Sequence, residues 1–248
     1  MIILSILFFI TAILYSSVGF GGGSTYLALL LIWEIPYYIF PVIALICNII
    51  VVSGNCINYS KAGNLNLKLL APYLLGSVPF AFIGGSLLIE KKIFELLLFL
   101  VLLIAGILLL IQNKSFAKKN ITFKRPSVFI SLFVGSIIGF ASGIVGIGGG
   151  IFLSPILFLI KAAPPKQIAT TASFFILINS LSGVLGQLTK DNVMSQISEY
   201  WILFLAVLIG GQIGNYINLK IFSNRVLALA TACLVIFVAI RMGTRLMT

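Results

Sequence analysis

The chain alternates between long apolar runs and short polar breaks. Eight stretches contain no Asp, Glu, Lys or Arg: 2–33, 36–60, 69–89, 96–112, 126–160, 167–189, 200–219 and 226–240. A helix needs roughly 20 residues to cross the core of a bilayer, and most of these runs reach that length. The ten-residue alternation of membrane β-strands is absent. The pattern predicts an all-α integral membrane protein with about eight transmembrane helices.

The composition agrees with this pattern and changes the interpretation of the charge. Hydrophobic residues make up 60% of the chain and charged residues only 8%. The net charge is +11, but the basic residues lie mostly between the apolar runs, where Lys and Arg anchor helix ends, so we expect a lipid partner and no nucleic acid. If every run crosses once, the loop 113–125 and both termini share a side with 10 of the 16 Lys and Arg residues. The positive-inside rule then predicts cytoplasmic termini in a cell (inner) membrane.

Two glycine clusters interrupt the first run of each half of the chain. Gly19–Gly23 and Gly146–Gly150 share the pattern G-x-G-G-G and begin 127 positions apart. Each consecutive glycine destabilises a helix by about 1 kcal/mol, so each cluster predicts a helix broken at membrane depth. Lipid tolerates such a break only where the backbone lines a cavity or is buried in protein. Paired breaks in corresponding positions are typical of transporters.

The duplication extends beyond the glycines and predicts two homologous four-span repeats, 1–112 and 126–248, joined by the basic loop 113–125. Their orientation stays open: four crossings in each half make parallel repeats, whereas re-entrant hairpins at the breaks allow inverted ones. The third span of each half carries small residues four apart, Ser77, Ala81 and Gly85 in one and Ala206, Gly210 and Gly214 in the other. Such stripes predict close helix packing, against each other, in a homodimer or within the bundle, in preference to a direct substrate role.

The chemistry at the breaks favours an anion. Unwound glycine backbone exposes N–H groups, and a helix that begins after it directs its positive dipole end toward them. Hydroxyl and amide side chains at the same depth could complete a binding shell. The candidate substrate-binding residues are Gly21, Gly22, Gly23, Ser24, Thr25, Asn48, Gly148, Gly149, Gly150, Thr171, Ser173 and Asn179. The alternative for the glycines is a hinge or packing role, and for the polar side chains a bond between helices.

Several classes of protein are disfavoured. The dinucleotide pattern G-x-G-x-x-G fails because Ser24 and Ile151 occupy the third glycine position. The five acids all lie near predicted helix ends, which disfavours a cation-coupled antiporter. The chain has no histidine and no cysteine spacing typical of metal sites. We therefore expect no metal, no cofactor and no enzyme activity.

Four segments resemble the signature of the TauE/SafE (sulfite exporter) family of membrane transporters: Val18–Gly23, Ala62–Leu65, Gly143–Pro155 and Ala169–Phe174. The resemblance covers essentially the whole chain. It implies an inner-membrane permease of about eight spans for sulfur-containing or other organic anions. The stretch Phe40–Leu45 lacks the hydroxyls that its second-half counterpart carries at Thr170 and Thr171. If those hydroxyls bind substrate, the site is asymmetric and the second half contributes more to it.

The sequence thus predicts a secondary transporter of a small anion, a sulfur oxyanion, organosulfonate or carboxylate, bound between the two repeats. An anion-selective pore lined by the same amides is the first alternative. A non-transport subunit of a membrane assembly is the second.

Overall fold

The computed structural model describes residues 1–17, 19–115, 123–190 and 196–217, together with positions 233, 236–237 and 239–240. Its α-helices are α1 (Ile2–Ser16), α2 (Gly23–Ile32), α3 (Phe40–Lys61), α4 (Leu67–Ser86), α5 (Lys91–Ser115), α6 (Val128–Val145), α7 (Gly150–Leu159), α8 (Pro165–Gln187) and α9 (Trp201–Ile217). Short 3-10 helices, Tyr37–Ile39 and Ser198–Tyr200, precede α3 and α9. Most of the eighth predicted run, and the charged residues Lys118, Lys119, Asp191, Lys220, Arg225, Arg241 and Arg245, lie outside the described residues.

Five helices of the described part, α3, α4, α5, α6 and α8, are long and apolar enough to cross a membrane. The elements α1, α2 and α7 are shorter apolar helices of 15, 10 and 10 residues. At 1.5 Å per residue, α2 and α7 reach only about 15 Å, half the thickness of a bilayer core. The all-helical, multi-pass architecture is therefore confirmed, while the number of eight spans stays a prediction.

Both glycine clusters break the helix, and each break turns the chain back on itself. After α1 ends, Thr25 in α2 is hydrogen-bonded to Tyr15 in α1 through their hydroxyls at 2.7 Å. The rings of Phe8 and Tyr26 lie 4.7 Å apart. The later residue of α2 contacts the earlier residue of α1, so α2 runs back beside α1 toward its start. The run 2–33 is thus a hairpin rather than a simple crossing.

The second break makes the same kind of hairpin. The Lys161 carbonyl, two residues after α7, accepts a hydrogen bond from the N–H of Lys124, four residues before α6. The start of α6 and the end of α7 are therefore on the same side of the molecule. Each half of the chain begins with a long helix that enters the protein and a half-length helix that comes back.

The helix directions follow from contacts at the two ends of the bundle. Asn66, just before α4, bonds through its amide to Gln167 at the start of α8 at 3.1 Å. Tyr37 and Tyr38, just before α3, share a cavity with Lys190, just after α8. The second spans of the two halves, α3 and α8, consequently run in opposite directions.

The small-residue stripes pack within the chain. Ser77 and Ala81 in α4 face Gly139 and Gly143 in α6, where a Cβ on either glycine would overlap the backbone of α4. In the other half, Gly210 and Gly214 of α9 lie against the backbone of α1. The stripes therefore bring together the third span of one half and the first span of the other, in parallel. The expectation that they pair with each other was wrong, and no dimer is supported through them, because their surfaces are already covered.

Several helix pairs recur in both halves of the chain. The pair α4–α6 has its counterpart in α9–α1, α4–α8 in α9–α3, and α2–α3 in α7–α8, while α3 and α8 pack against each other. The pairs α1–α2 and α3–α6, in contrast, have no counterpart of similar extent among the described helices. The recurring pairs are those expected of a duplicated chain, and the repeat boundaries themselves remain a prediction.

Charges separate between the two ends of the bundle. One end, the basic face, carries six basic residues and no acid among the described side chains: Lys61, Lys68, Lys124, Arg125, Lys161 and Lys166. The other, the vestibule face, carries three basic and four acidic residues: Glu34, Glu90, Lys91, Lys92, Glu95, Lys190 and Glu199. The start of α1 is at the vestibule face, where Ile2 and Ser5 line a groove with Ile202 of α9.

Candidate functional site

The breaks depend on backbone conformations that favour glycine. Gly22 has a φ of 85°, and Gly148 and Gly149 have φ values of 81° and 78°. In this left-handed region a side chain is strained, whereas glycine is not. Because the turns immediately precede α2 and α7, they set the start of each half-length helix inside the protein.

The two breaks meet at the centre of the molecule. A Cβ on Gly23 would lie 2.5 Å from the carbonyl oxygen of Ile147 and 2.7 Å from Asn48 Nδ2. A Cβ on Gly148 would lie 2.5 Å from the same Asn48 nitrogen, and one on Gly21 would overlap Asn48 Oδ1. The Asn48 side chain of α3 is thus enclosed by glycine backbone from both halves. Any larger residue at these three positions would displace it.

Each break presents a row of main-chain donors. The N–H groups of residues 21–24 have no hydrogen-bond partner among the described residues, and neither do those of residues 148–151. These N–H groups belong to the first two residues of α2 and α7 and to the two residues just before each helix. The helix dipole is positive at this end. Each break therefore contributes four main-chain N–H groups without a partner among the described residues, in segments that meet at Asn48.

The Asn48 amide is itself unsatisfied. The residue is fully buried, and neither Oδ1 nor Nδ2 has a partner within the described part of the chain. Ile176 in α8 is its counterpart, 128 positions later, and it also contacts the Cβ positions of Gly21, Gly148 and Gly150. One half of the chain therefore contributes an amide to the centre and the other an apolar side chain.

Three further candidates have buried, unpartnered polar atoms. Asn179 in α8 lies beside Gly149, with its Nδ2 3.3 Å from a Cβ placed there, and both of its amide atoms lack partners among the described groups. The hydroxyls of Ser24 and Thr171 are likewise buried and unpaired within the ranges described. A buried polar group without a partner costs free energy, so such groups are candidates to contact a ligand.

Two predicted side chains have structural partners instead. The Thr25 hydroxyl bonds to Tyr15 and holds the first hairpin together. The Ser173 hydroxyl lies 2.5 Å from the Gly19 carbonyl and 2.9 Å from that of Ala169, so it links α8 to the first break. Gly22 faces Thr11, Tyr15 and Tyr26 in the same hairpin, away from Asn48.

A cavity of about 450 Å³ leads from the vestibule face toward the second break, and we call it the vestibule. Its lining residues are Tyr37, Tyr38, Pro41, Leu87, Leu88, Ile89, Glu90, Phe94, Ile144 and Lys190. A Cβ on Gly146 would overlap the backbone of Pro41 in its inner wall. Pro41 therefore stands between the vestibule and the first glycine of the second break.

Lys190 is the cation of the vestibule. Its Nζ donates to Gln187 Oε1 at 2.8 Å, and the fully buried Gln187 donates through Nε2 to the Gly143 carbonyl in the last turn of α6, also at 2.8 Å. Burial lowers the pKa of Lys190 from 10.5 to about 8. No pattern in the sequence indicates this chain of contacts, because it joins residues 44 positions apart.

On the opposite side, the first break is covered. Tyr59 of α3 lies against Gly19, where a Cβ would be 2.5 Å from its hydroxyl oxygen, and Ser173 closes over the Gly19 carbonyl. The two breaks thus differ in access: side chains cover the one nearer the basic face, and the vestibule reaches the other.

Within the described ranges, no group of three His, Cys, Asp or Glu side chains is placed to hold a metal ion. The expectations of no metal, no cofactor and no catalysis remain predictions. The breaks bring together amides and hydroxyls, and the vestibule adds Lys190, Glu90 and two tyrosines. The amide, hydroxyl and ammonium donors can stabilise negative charge.

Comparisons with known proteins agree on one kind of protein. The sequence profile of the family described as "Sulfite exporter TauE/SafE" matches residues 4–242. A "Probable membrane transporter protein y4hK" of Sinorhizobium fredii is 28% identical over 221 residues, covering 89% of each chain. Further relatives are the "Probable membrane transporter protein YunE" of Bacillus subtilis (24% identical, 95% of this chain and 94% of that protein) and the "Probable membrane transporter protein MJ0441" of Methanocaldococcus jannaschii (30% identical, 76% and 73%). No solved structure matches the chain.

Proposed function

Because the chain belongs to the sulfite exporter TauE/SafE family, we propose that it carries small anions across the membrane and binds them where the two glycine breaks meet. It is a multi-pass helical protein, and its relatives are named as membrane transporters. The substrate class proposed is a small sulfur oxyanion, organosulfonate or carboxylate.

One observation carries the proposal: the unsatisfied Asn48 amide lies between the two rows of unpaired N–H groups. The Asn48 Nδ2 and the glycine N–H groups are donors, and none of the described acids lies within a break. An anion placed among them would accept several hydrogen bonds in a region of low dielectric, where such bonds are strong. A cation would find the positive ends of two helices there instead.

The polar side chains around this centre support an asymmetric shell. Thr171 and Asn179 come from α8, whereas the residues 128 positions earlier in α3 are Ile43 and Val51. Asn48 is the exception, since its counterpart is Ile176. We therefore assign Asn48 and the glycine N–H groups to the first contacts with the anion, Ser24, Thr171 and Asn179 to the shell around it, and Thr25 and Ser173 to holding the hairpin and the break in place.

Alternating access would follow from an inverted arrangement of the halves. Counterpart helices α3 and α8 run in opposite directions, and so do α1 and α6, because α1 starts at the vestibule face and α6 at the basic face. A pseudo-two-fold axis in the membrane plane relates such halves. The present form is open through the vestibule and closed by Tyr59, and exchanging the roles of the halves would open the other side.

The helix directions also change the orientation that we propose for the chain in the membrane. The count that favoured cytoplasmic termini treated both hairpins as crossings. With the hairpins re-entrant, the basic face holds six Lys and Arg residues against three on the vestibule face, among the described side chains. The positive-inside rule then places the basic face in the cytoplasm and the start of α1 outside.

Cysteine labelling in intact cells tests this orientation. In a variant lacking the three native cysteines, Leu88→Cys is on the vestibule face and Ala62→Cys on the basic face, both at exposed positions. A membrane-impermeant maleimide should label Cys at 88 in intact cells and Cys at 62 only after permeabilisation. The opposite pattern would restore cytoplasmic termini.

Ligand-dependent thermal stabilisation and counterflow test the transport function. Purified protein is heated with sulfite, thiosulfate, sulfoacetate, taurine or acetate, with chloride as the control. We expect one anion to raise Tm, and proteoliposomes preloaded with it to show counterflow, which a simple pore does not. Asn48→Leu should abolish both effects, and Asn58→Leu, the same change at an exposed site of α3, should abolish neither. Absence of a shift with every anion would reject the proposed substrate class.

A further inference from the structure

We propose that Lys190, held by Gln187 at the end of the vestibule, is an anion-receiving subsite that loads the site at the glycine breaks. The transfer of the anion from Lys190 to the glycine breaks rests on the proposed function. The binding of the anion at Lys190 does not. The ligand class is a small anion able to accept hydrogen bonds from an ammonium group.

The electrostatic environment of Lys190 supports this role. Lys190 has no carboxylate partner among the described residues; the ion pair that the structure does contain joins Lys91 to Glu95 at 4.0 Å. Its hydrogen-bond partner is a neutral amide oxygen, Gln187 Oε1. An ammonium group has three donors, so donors remain for a ligand. A partly buried cation without an anionic partner is disfavoured by desolvation and gains when an anion binds beside it.

The position of Lys190 supports transfer to the central site. Gln187 connects the lysine to the Gly143 carbonyl, three residues before Gly146 and the second break. Pro41 and Ile144 line the vestibule, and Pro41 packs against Gly146, the first glycine of the second break. An anion that leaves Lys190 would have to pass Pro41 to reach the N–H groups of residues 148–151, which follow Gly146 by two to five positions. The other ionisable side chains lining the vestibule are Glu90, Tyr37 and Tyr38, and Glu90 would repel an anion that missed the lysine.

Chemical protection tests binding without requiring transport. The full-length protein in detergent is acetylated with acetic anhydride at constant ionic strength, with sulfite, thiosulfate or chloride present, and modification at each lysine is followed by mass spectrometry. Lys92, an exposed lysine on the same face outside the vestibule, is the internal control. Sulfite and thiosulfate also consume anhydride, which slows acetylation of every lysine alike, so the measured quantity is the acetylation rate of Lys190 relative to that of Lys92. Either anion at ten times its Kd should lower this ratio about tenfold relative to chloride. An equal ratio in all salts, at anion concentrations up to about 50 mM, would overturn the proposal, because substrate-level sites rarely bind more weakly than about 1 mM.

Uptake kinetics separate this subsite from the central site. Lys190→Gln should raise KM for the transported anion about tenfold, the loss expected for a charge-assisted hydrogen bond, with kcat nearly unchanged. Lys190→Arg should retain the wild-type KM, and Lys92→Gln should match the wild type. Protection of Lys190 without any uptake would reject the transport function and keep the subsite. Uptake with an unaltered KM in Lys190→Gln would reject the subsite and keep the function.

Discussion

Replacing Asn48 by leucine should stabilise the anion-free protein and abolish its response to the substrate. Leucine has nearly the shape of asparagine but no polar atoms. Both polar atoms of Asn48 are buried without a partner among the described residues, and neither N–H donors nor carbonyls of the glycine backbone bond to them. Leaving such a group unsatisfied costs about 1–3 kcal/mol, so its removal should raise the unfolding free energy by about 1 kcal/mol or more.

The expected shifts in Tm have opposite signs in the two conditions. For a chain of this size, 1 kcal/mol corresponds to about 2–4 °C in Tm. A bound anion at 100 times its Kd stabilises the wild type by about 2.7 kcal/mol, and the variant should lose this gain. The variant should therefore melt above the wild type in chloride and below it in saturating substrate.

Differential scanning fluorimetry in detergent measures both conditions, with Asn58→Leu as the matched amide control at an exposed position of the same helix. A variant that melts several degrees below the wild type in chloride would show that the Asn48 amide supports the fold. A variant that keeps the full substrate shift would show that the anion binds elsewhere. Either result would refute the reasoning from the unsatisfied amide.

Three further outcomes test the packing and the electrostatics. Gly139→Ala should lower Tm strongly, because the added Cβ would overlap the α4 backbone. The control Gly63→Ala adds a Cβ where nothing lies within 4 Å, so it should cost only the roughly 1 kcal/mol of a left-handed φ. Similar losses of Tm in the two variants would contradict the close contact between α4 and α6. Ser173→Ala should destabilise by about 1–3 kcal/mol, since it leaves the Gly19 carbonyl without its donor, and loss of uptake at unchanged Tm would instead assign the hydroxyl to the substrate. The difference in Tm between the wild type and Lys190→Met should shift in favour of the wild type as the pH rises from 8 to about 10. The pKa of Lys190 is about 8 in the folded protein and lies below the ordinary 10.5, so the unfolded chain binds more protons in that window. A difference in Tm that does not change with pH would place the lysine in solvent.

Under the proposed function, the covered first break and the open vestibule would correspond to one state of the transport cycle. The glycine contacts at the centre leave no room for a Cβ at Gly21, Gly23 or Gly148. Motion that separates the halves would change these contacts first, because they join the N-termini of α2 and α7 through Asn48. Under the proposed function, the glycines would serve both the binding site and the moving interface, so the hinge and site interpretations of the sequence need not exclude each other.

The helices, the glycine breaks and the family resemblance could be predicted from the sequence, because each depends on residues that are close together in the chain. Apolar runs must satisfy their backbone internally in lipid, so run lengths predicted helices, and the bounds of α3, α4 and α8 fall close to the predicted runs. Consecutive glycines break a helix regardless of context, and both breaks occur where predicted. Asn48 and Asn179 were predicted as site residues because an amide at membrane depth needs a partner, and their role in binding stays a prediction.

Only the tertiary structure decided what those elements meet. An apolar run has the same composition whether it crosses the membrane or turns back, so the hairpins, the opposed directions of α3 and α8 and the revised orientation depend on contacts such as Lys124 with Lys161. A stripe of small residues predicts that another backbone packs closely against it but does not identify that backbone. The stripe of α4 packs against α6, and that of α9 packs against α1. The sequence determined local conformation because each residue carries its own propensity. The site depends on pairs such as Gly23 with Ile147, more than a hundred positions apart, and no local propensity encodes them.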